Sequence, residues 1–142
     1  VVGRRGSRAF VIATIRAQAE LLIKQIVLDI VANLRRAASE GGSPVDTGWL
    51  RANWVASIGE PFDGTVGTRE QAEQGNVDNA RSEQSTQEFF TNYGLNDGSG
   101  YVSNNVPYVL IRNERGGKVA QKFFVQRAIK EAVDRARGKR FR

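Results

Sequence analysis

The chain contains no cysteine and no histidine, and each absence removes a class of chemistry. Without cysteine there is no disulfide framework and no thiolate nucleophile. Without histidine the commonest general base and the commonest transition-metal ligand are also missing. Zinc hydrolases, Cys–His sites and Ser–His–Asp triads are excluded, which leaves carboxylate chemistry with Mg²⁺ or Ca²⁺. The acids that would be needed for it, Asp29, Asp46, Asp63, Asp78 and Asp97, are scattered along the chain. The run Asn96-Asp97-Gly98-Ser99-Gly100 resembles a calcium loop in composition, but it lacks the alternating ligand spacing and the closing glutamate. It reads as an Asp-Gly turn. The expectation is no enzyme, no cofactor and no metal site. Long apolar runs are missing too: none approaches the roughly 18 residues that suggest a membrane span. No secretory leader pattern is visible at the start, so the expected setting is a reducing cytoplasm, with no membrane partner.

At 142 residues the chain is long enough to bury a core and too short for two ordinary domains. It is expected to form one domain over 1–142 with basic tails at about 1–7 and 138–142. The net charge is +6, and its distribution matters more than its sum. Residues 60 to 100 hold eight acids against two arginines, a local balance of −6, so the remainder carries +12. Arg4, Arg5 and Arg8 crowd one end, Arg35 and Arg36 follow the first apolar segment, and Arg135, Arg137, Lys139, Arg140 and Arg142 crowd the other end. Charge segregated in this way can present one surface to nucleic-acid phosphates and another to an oppositely charged neighbour. The competing reading of each cluster is a solvated tail, or a basic helix end meeting its own dipole. The candidate DNA-facing residues are Arg4, Arg5, Arg8, Arg137, Lys139, Arg140 and Arg142.

From about Ser7 to Ala38 apolar residues recur at helical spacing. Ile12, Ile15, Ala19, Leu22, Ile26, Ile30 and Leu34 form one stripe, which Ile23, Val27 and Val31 widen. Arg16, Glu20 and Lys24, four apart, mark the expected wet side. Such a helix of about 30 residues is roughly 45 Å long, against a radius of gyration of ~14.5 Å for a compact chain of this size. It must protrude from its domain or run along the whole of one side. The widened face at Ile23, Val27 and Val31 is a candidate subunit contact, with deep burial inside one subunit as the alternative.

Glu40-Gly41-Gly42-Ser43-Pro44 breaks this helix, because Pro44 cannot continue it and biases Ser43 away from helical angles. Asp46 or Thr47 can cap a short turn, and Gly48 tolerates backbone angles that other residues resist. Asn53 to Ile58 reads as a strand with Trp54, Ala56 and Ile58 on one face. After a turn at Gly59 to Gly64, Thr65 to Thr68 is a candidate return strand. The polar stretch 69–92 is either helix or loop, with Gly75-Asn76 against one continuous helix. A helix is placed at about Asn79 to Tyr93, docked by Phe89, Phe90 and Tyr93. Tyr101 to Ile111 reads as a strand, a kink or edge at Pro107, then a strand or short helical turn. A glycine-containing loop, Glu114 to Gln121, precedes a C-terminal helix from Lys122 to Arg137 with Val125, Ala128, Ile129, Ala132, Val133 and Ala136 on one face. The expected fold is α+β: a long N-terminal helix, a small, mainly antiparallel sheet, and a C-terminal helix packed on that sheet.

Two blocks carry a family resemblance. The pattern Pro-x-Asp-Thr-Gly-x-Leu-Arg-x-x-Trp, spanning Pro44 to Trp54, resembles the signature of the minor tail, tail-completion and head-to-tail joining (neck) proteins of tailed bacteriophages. A later Asn-x-x-Pro-Tyr, at Asn104, Pro107 and Tyr108, follows a polar helix and precedes a glycine-containing loop and terminal helix, as in that family. Asp46, Thr47, Gly48, Leu50, Arg51, Trp54, Asn104, Pro107 and Tyr108 match the pattern positions. Where relatives often read Gln-Ala-Pro, this chain has Ala120-Gln121-Lys122, without proline. The resemblance implies structural roles for these residues, in turn geometry and packing, and no catalytic site.

It also implies a virion protein of the neck or tail, assembled in the host cytoplasm. Copies would form a ring, a hexamer rather than a dodecamer, around the DNA channel. Its neighbours would be an adaptor or stopper, a tail terminator or tail tube, and the genomic DNA passing through. The alternatives are a small basic sequence-independent DNA-binding protein and an inhibitor or antitoxin-like module with an extended interaction helix. No helix-turn-helix spacing or aromatic-rich basic RNA motif favours the former.

Overall fold

A computed structural model describes residues 2–44, 48–117 and 121–139, with side chains described only within 8–138 of that set. Its architecture is α+β: a long N-terminal helix, a two-stranded antiparallel sheet, and a C-terminal helix packed against both. The long helix α1 spans Val2–Arg35, 34 residues, or about 51 Å. It ends three residues before the sequence boundary at Ala38, and the chain leaves it through a short 3₁₀ turn at Ala38–Glu40. The exit is held by backbone bonds from Gly42 N–H to Ala37 O (3.1 Å) and from Ser43 N–H to Leu34 O (3.0 Å). The second of these satisfies one of the carbonyls that the end of α1 leaves open, and the first closes the 3₁₀ turn.

Past the breaker lie α2 (Trp49–Ala52) and β1 (Val55–Ile58). Then come α3 (Arg69–Glu73), closed at its start by a Thr68–Gln71 capping box, and α4 (Ala80–Asn92). The break expected at Gly75-Asn76 separates these two helices. A 3₁₀ turn at Leu95–Asp97 leads into β2 (Gly100–Ser103), followed by α5 (Val109–Arg115) and α6 (Phe124–Lys139).

β1 pairs with β2, Val55 facing Ser103 and Ile58 facing Gly100. The return strand expected at Thr65 to Thr68 does not form, because side chains claim its backbone. Asn53 Oδ1 accepts the Val66 N–H at 2.6 Å, and the Trp49 indole and Asn53 amide both donate to Val66 O. The other edge of β1 is closed by α4, where Ser85 Oγ accepts the Ala56 N–H at 3.1 Å. Small buried hydroxyl residues, Ser82, Ser85 and Thr86, let α4 approach that closely.

Two buried clusters sit along one side of α1. The larger joins Val31 and Leu34 to Trp49, Leu50, Trp54, Val106, Phe124 and Ala128; the smaller joins Val27 to Ala56, Phe89 and Tyr93, with Ile23 packed against it. Val27 and Val31 are only 7% and 1% exposed, so the expected subunit contact at Ile23, Val27 and Val31 is corrected. That face is the subunit's own core, where burying each such side chain contributes about 1.5–3 kcal/mol.

The side expected to be wet is corrected as well. Glu20 Oε1 accepts the Leu95 N–H at 3.1 Å, Arg16 donates to Asn96 Oδ1 at 2.7 Å, and the Lys24 ammonium lies 5.7 Å from the Phe90 ring centre. On α6 the buried line is Phe124, Ala128, Ala132 and Ala136 at fourfold spacing, while Ile129 stays 43% exposed. The alanines let α1 and α6 approach closely, which turns the larger Ile129 outward.

Candidate functional site

The two blocks that carry the family resemblance fold into one unit. Asn104 Nδ2 donates to Leu50 O at 2.8 Å, 54 residues away, while its Oδ1 accepts the Val106 N–H at 3.1 Å. Tyr108 meets Trp49 edge-on, ring centres 6.0 Å apart, and Trp54 meets Phe124 edge-on at 6.5 Å. Leu50 and Trp54 are buried, and Pro107 is exposed at the bend before α5. Gly48 precedes α2 at φ +83, a left-handed angle that glycine adopts without strain. Asp46 and Thr47 lie outside the described residues.

Arg51 joins the end of α1 rather than a ligand site. Its Nη2 donates to Arg36 O at 3.1 Å, and burial followed by the neighbouring Arg35 charge lowers its pKa. Arg35 and Arg36 in turn pair with Glu83 and Glu131, at 2.7 and 2.6 Å.

Sequence reasoning missed the buried polar side chains that tie the blocks together. Ser43 Oγ donates to Leu34 O at 2.5 Å and accepts the Trp54 indole N–H at 3.2 Å. Asn53, 2% exposed, spans Trp49 O and both backbone groups of Val66. Asn113 ties α5 to α6, with Oδ1 on the Val125 N–H and Nδ2 on Gln126 Oε1. In the sequence Ser43 reads as a residue of the helix breaker and Asn53 as the start of a strand, and only the partners reveal the role.

The charged candidates divide. Arg8 and Arg137 are exposed, Arg4, Arg5 and Lys139 lie on the α1 and α6 backbones, and Arg140 and Arg142 lie outside the described residues. Asn33 donates to Ala128 O, Arg36 pairs with Glu131 and Asp29 pairs with Arg135. These contacts make α6 antiparallel to α1. The basic end of α6 therefore runs toward the end of the molecule that carries Arg4, Arg5 and Arg8.

Every α1 residue from Arg8 to Ile15 is exposed, with Phe10 72%, Val11 52%, Ile12 53% and Ile15 60% accessible. A second exposed apolar group comprises Leu110 at 73%, Ile111 at 54% and Phe123 at 51%.

Nothing in the described residues has the geometry of a catalytic centre. No group of three or more acidic side chains among them is placed to hold a metal ion. A concavity of about 440 Å³ on the outer side of α6 is lined, among the described residues, by Gln126, Ile129, Lys130, Val133, Asp134 and Arg137, all from that one helix. Its Asp134 carboxyl is held below the ordinary value first by a hydrogen bond from Lys130, a surface pair. No described helix is long and apolar enough to cross a membrane. Neither the family models, nor the curated proteins, nor the solved structures compared with this chain give a match.

Proposed function

We propose that this chain is a structural component of the neck of a tailed bacteriophage, acting in head-to-tail joining or tail completion as one copy of a closed ring around the DNA channel. It performs no catalysis in this role. The observation that carries the reading is the Asn104–Leu50 hydrogen bond at 2.8 Å. The two blocks on which the resemblance rests are partners in one packed unit, as expected if they form one inherited structural signature.

Two further features support it. An α1 segment with apolar side chains exposed on several sides suits a subunit whose surface is completed by neighbours. The exposed Arg8 and Arg137 suit a lumen through which DNA passes without base reading, since phosphate contacts are sequence-independent. Contacts between unlike surfaces of identical copies close into a ring when the rotation between them closes. The ring, a hexamer in this reading, would sit between an adaptor or stopper and the tail terminator or tail tube.

The test is genetic. Deleting the coding sequence from the phage that carries it should leave DNA-filled heads and finished tails unjoined, and supplying the protein in trans should restore infectious particles. Normal virion yield without the protein overturns the reading. If joining is unaffected and the purified protein retards duplex DNA of any sequence, the chain is instead a small basic DNA-binding protein.

A further inference from the structure

We propose that the projecting arm of α1, residues 2–15, docks on the α5 surface of a second copy of this chain, over Leu110, Ile111 and Phe123. The inference rests on the ring reading above and names the surfaces that would build it.

The arm cannot fold back onto its own subunit. Below it the same helix is clamped by Arg16 on Asn96, Glu20 on Leu95, Asp29 on Arg135 and Arg35 on Glu83, so its direction is set by helix continuity. The arm carries Phe10, Val11, Ile12 and Ile15 exposed at 52–72%.

The chain offers a matching surface elsewhere. Leu110 and Ile111 project from α5. Phe123 adjoins them through its N–H bond to Asn113 O at 2.6 Å and holds its half-exposed ring at φ +57, a left-handed conformation rare for a bulky residue. Strain of this kind persists at sites that use it.

Charge selects the same partner and a direction. The α1 sequence has Arg4, Arg5, Arg8 and Arg16 and no acid before Glu20. At the N-terminal end of α5, the Arg69 guanidinium lies 5.9 Å from the Tyr108 ring centre. This contact brings α3, with its exposed Glu70 and Glu73, alongside α5. At the opposite end of α5 the exposed Arg115 and Lys122 outnumber Glu114, whereas at the Tyr108 end Glu70 and Glu73 outnumber Arg69. The arm's arginines are therefore drawn to the Tyr108 end.

An arm about 21 Å long and 10 Å wide buries roughly 300 Å² when half enclosed, well under the roughly 800 Å² per partner of a standard stable interface. In a closed ring each subunit donates one arm and accepts another, so every joint stays this small and the assembly is held by closure, not by any single contact.

The absence of cysteine makes the test direct. Ile12→Cys and Leu110→Cys proteins, each otherwise wild type, are mixed under a mild oxidant, and disulfide-linked species are identified by mass. The expected result is Ile12–Leu110 heterodimers well in excess of either homodimer. Alongside it, Phe10→Asp with Ile15→Asp should abolish assembly, read by light scattering, while leaving the melting temperature of the subunit unchanged. Raised salt or Glu70→Lys with Glu73→Lys should weaken assembly of the wild-type arm. Linkage only between two Ile12→Cys copies, which would mean arm-to-arm pairing, overturns the proposal. So does the absence of any linkage, or a protein that is monomeric at its highest soluble concentration. So does capture of the arm only by a different neck protein. Each of these leaves the neck assignment to stand or fall on the virion experiment.

Discussion

The Asn104 side chain reaches the Leu50 carbonyl at 2.8 Å and closes on the Val106 N–H at 3.1 Å. One amide thereby joins the end of the sheet to the short helix that follows the α1 breaker. Leu50 O also accepts the Asn53 N–H at 3.2 Å, at the end of α2, so the Asn104 amide is a second donor to that carbonyl and comes from a distant block. This explains how two short patterns far apart in the chain can belong to a single structural element.

Asn104→Leu should therefore cost more than the loss of one ordinary hydrogen bond. It strips the Asn104 acceptor from the Val106 N–H and leaves Leu50 O with the Asn53 N–H alone, a penalty of about 1–3 kcal/mol. Urea unfolding should show a lower midpoint at unchanged slope. A midpoint equal to that of the wild type would show that water replaces the amide without cost.

Trp54 has two separable roles. Its ring is 4% exposed and packs on Phe124, while its indole N–H donates to Ser43 Oγ at 3.2 Å. Trp54→Phe keeps most of the packing and should cost about 1–2 kcal/mol, chiefly through the lost hydrogen bond and some volume. Trp54→Ala should cost about 3–5 kcal/mol. Equal losses for the two substitutions in chemical denaturation would show that packing is not the larger share.

Two glycines should respond differently. A Cβ at Gly42 would stand 1.8 Å from Arg36 O, a backbone atom, whereas one at Gly48 would meet nothing within 4 Å. Gly42→Ala must displace the chain leaving α1, and should be among the most damaging single substitutions, at about 3 kcal/mol or more. Gly48→Ala keeps its space and bears only the cost of a left-handed angle, about 1–2 kcal/mol. Thermal melts of the two variants compare them directly, and Gly48→Ala melting lower than Gly42→Ala would contradict this geometry.

The Lys130–Asp134 pair, at 2.6 Å on the exposed side of α6, sets the sign of one pH effect. The Asp134 pKa is lowered, first by the Lys130 hydrogen bond. Any stabilisation from the pair is thus present at neutral pH and disappears as pH falls through the lowered value. Lys130→Gln should move the Asp134 titration upward toward the ordinary carboxylate range in a carboxyl NMR titration. An unmoved titration would assign the lowering to another neighbour.

The elements legible in the sequence were those with strong local causes. The long apolar period gave α1, Gly41-Gly42-Ser43-Pro44 its end, Gly75-Asn76 the gap between α3 and α4, and Pro107 the bend before α5. The illegible parts depend on distant partners. Residues 53–58 and 65–68 looked like a hairpin, but β1 pairs with β2, because Asn53 and Trp49 occupy the Val66 backbone. Which part of the apolar face of α1 meets the core was hidden, because the stripe from Ile12 to Leu34 is widened by Ile23, Val27 and Val31 and nothing local tells which of them the fold covers. Asn104 was marked by pattern but not by partner, and Ser43, Asn53 and Asn113 carried no sign of their buried bonds, since each bonds to a group that only the fold brings near. Within the candidate site, the motif positions were readable by pattern, while their mutual contacts were not.

The two halves of α1 provide the sharpest separation of folding from assembly. Val27 is 7% exposed and packs with Phe89 and Tyr93, and Ile23 lies against the same cluster. Ile23→Gln with Val27→Gln would place amides against stacked aromatic rings whose centres are 4.8 Å apart, with no polar partner offered by that cluster. The double variant should lose several kcal/mol, through lost apolar burial and unpaired amide groups, and should fail to assemble because it fails to fold. Ile12→Gln with Ile15→Gln changes side chains that are 53% and 60% exposed, where substitutions remote from a core ordinarily stay within about 0.5 kcal/mol. Its melting temperature should match the wild type, and any change should appear only in oligomeric mass. If instead the Ile12 and Ile15 variant melts early as an isolated subunit, the arm contributes to the subunit's own fold. If the Ile23 and Val27 variant melts normally, the assignment of that face to the core is wrong.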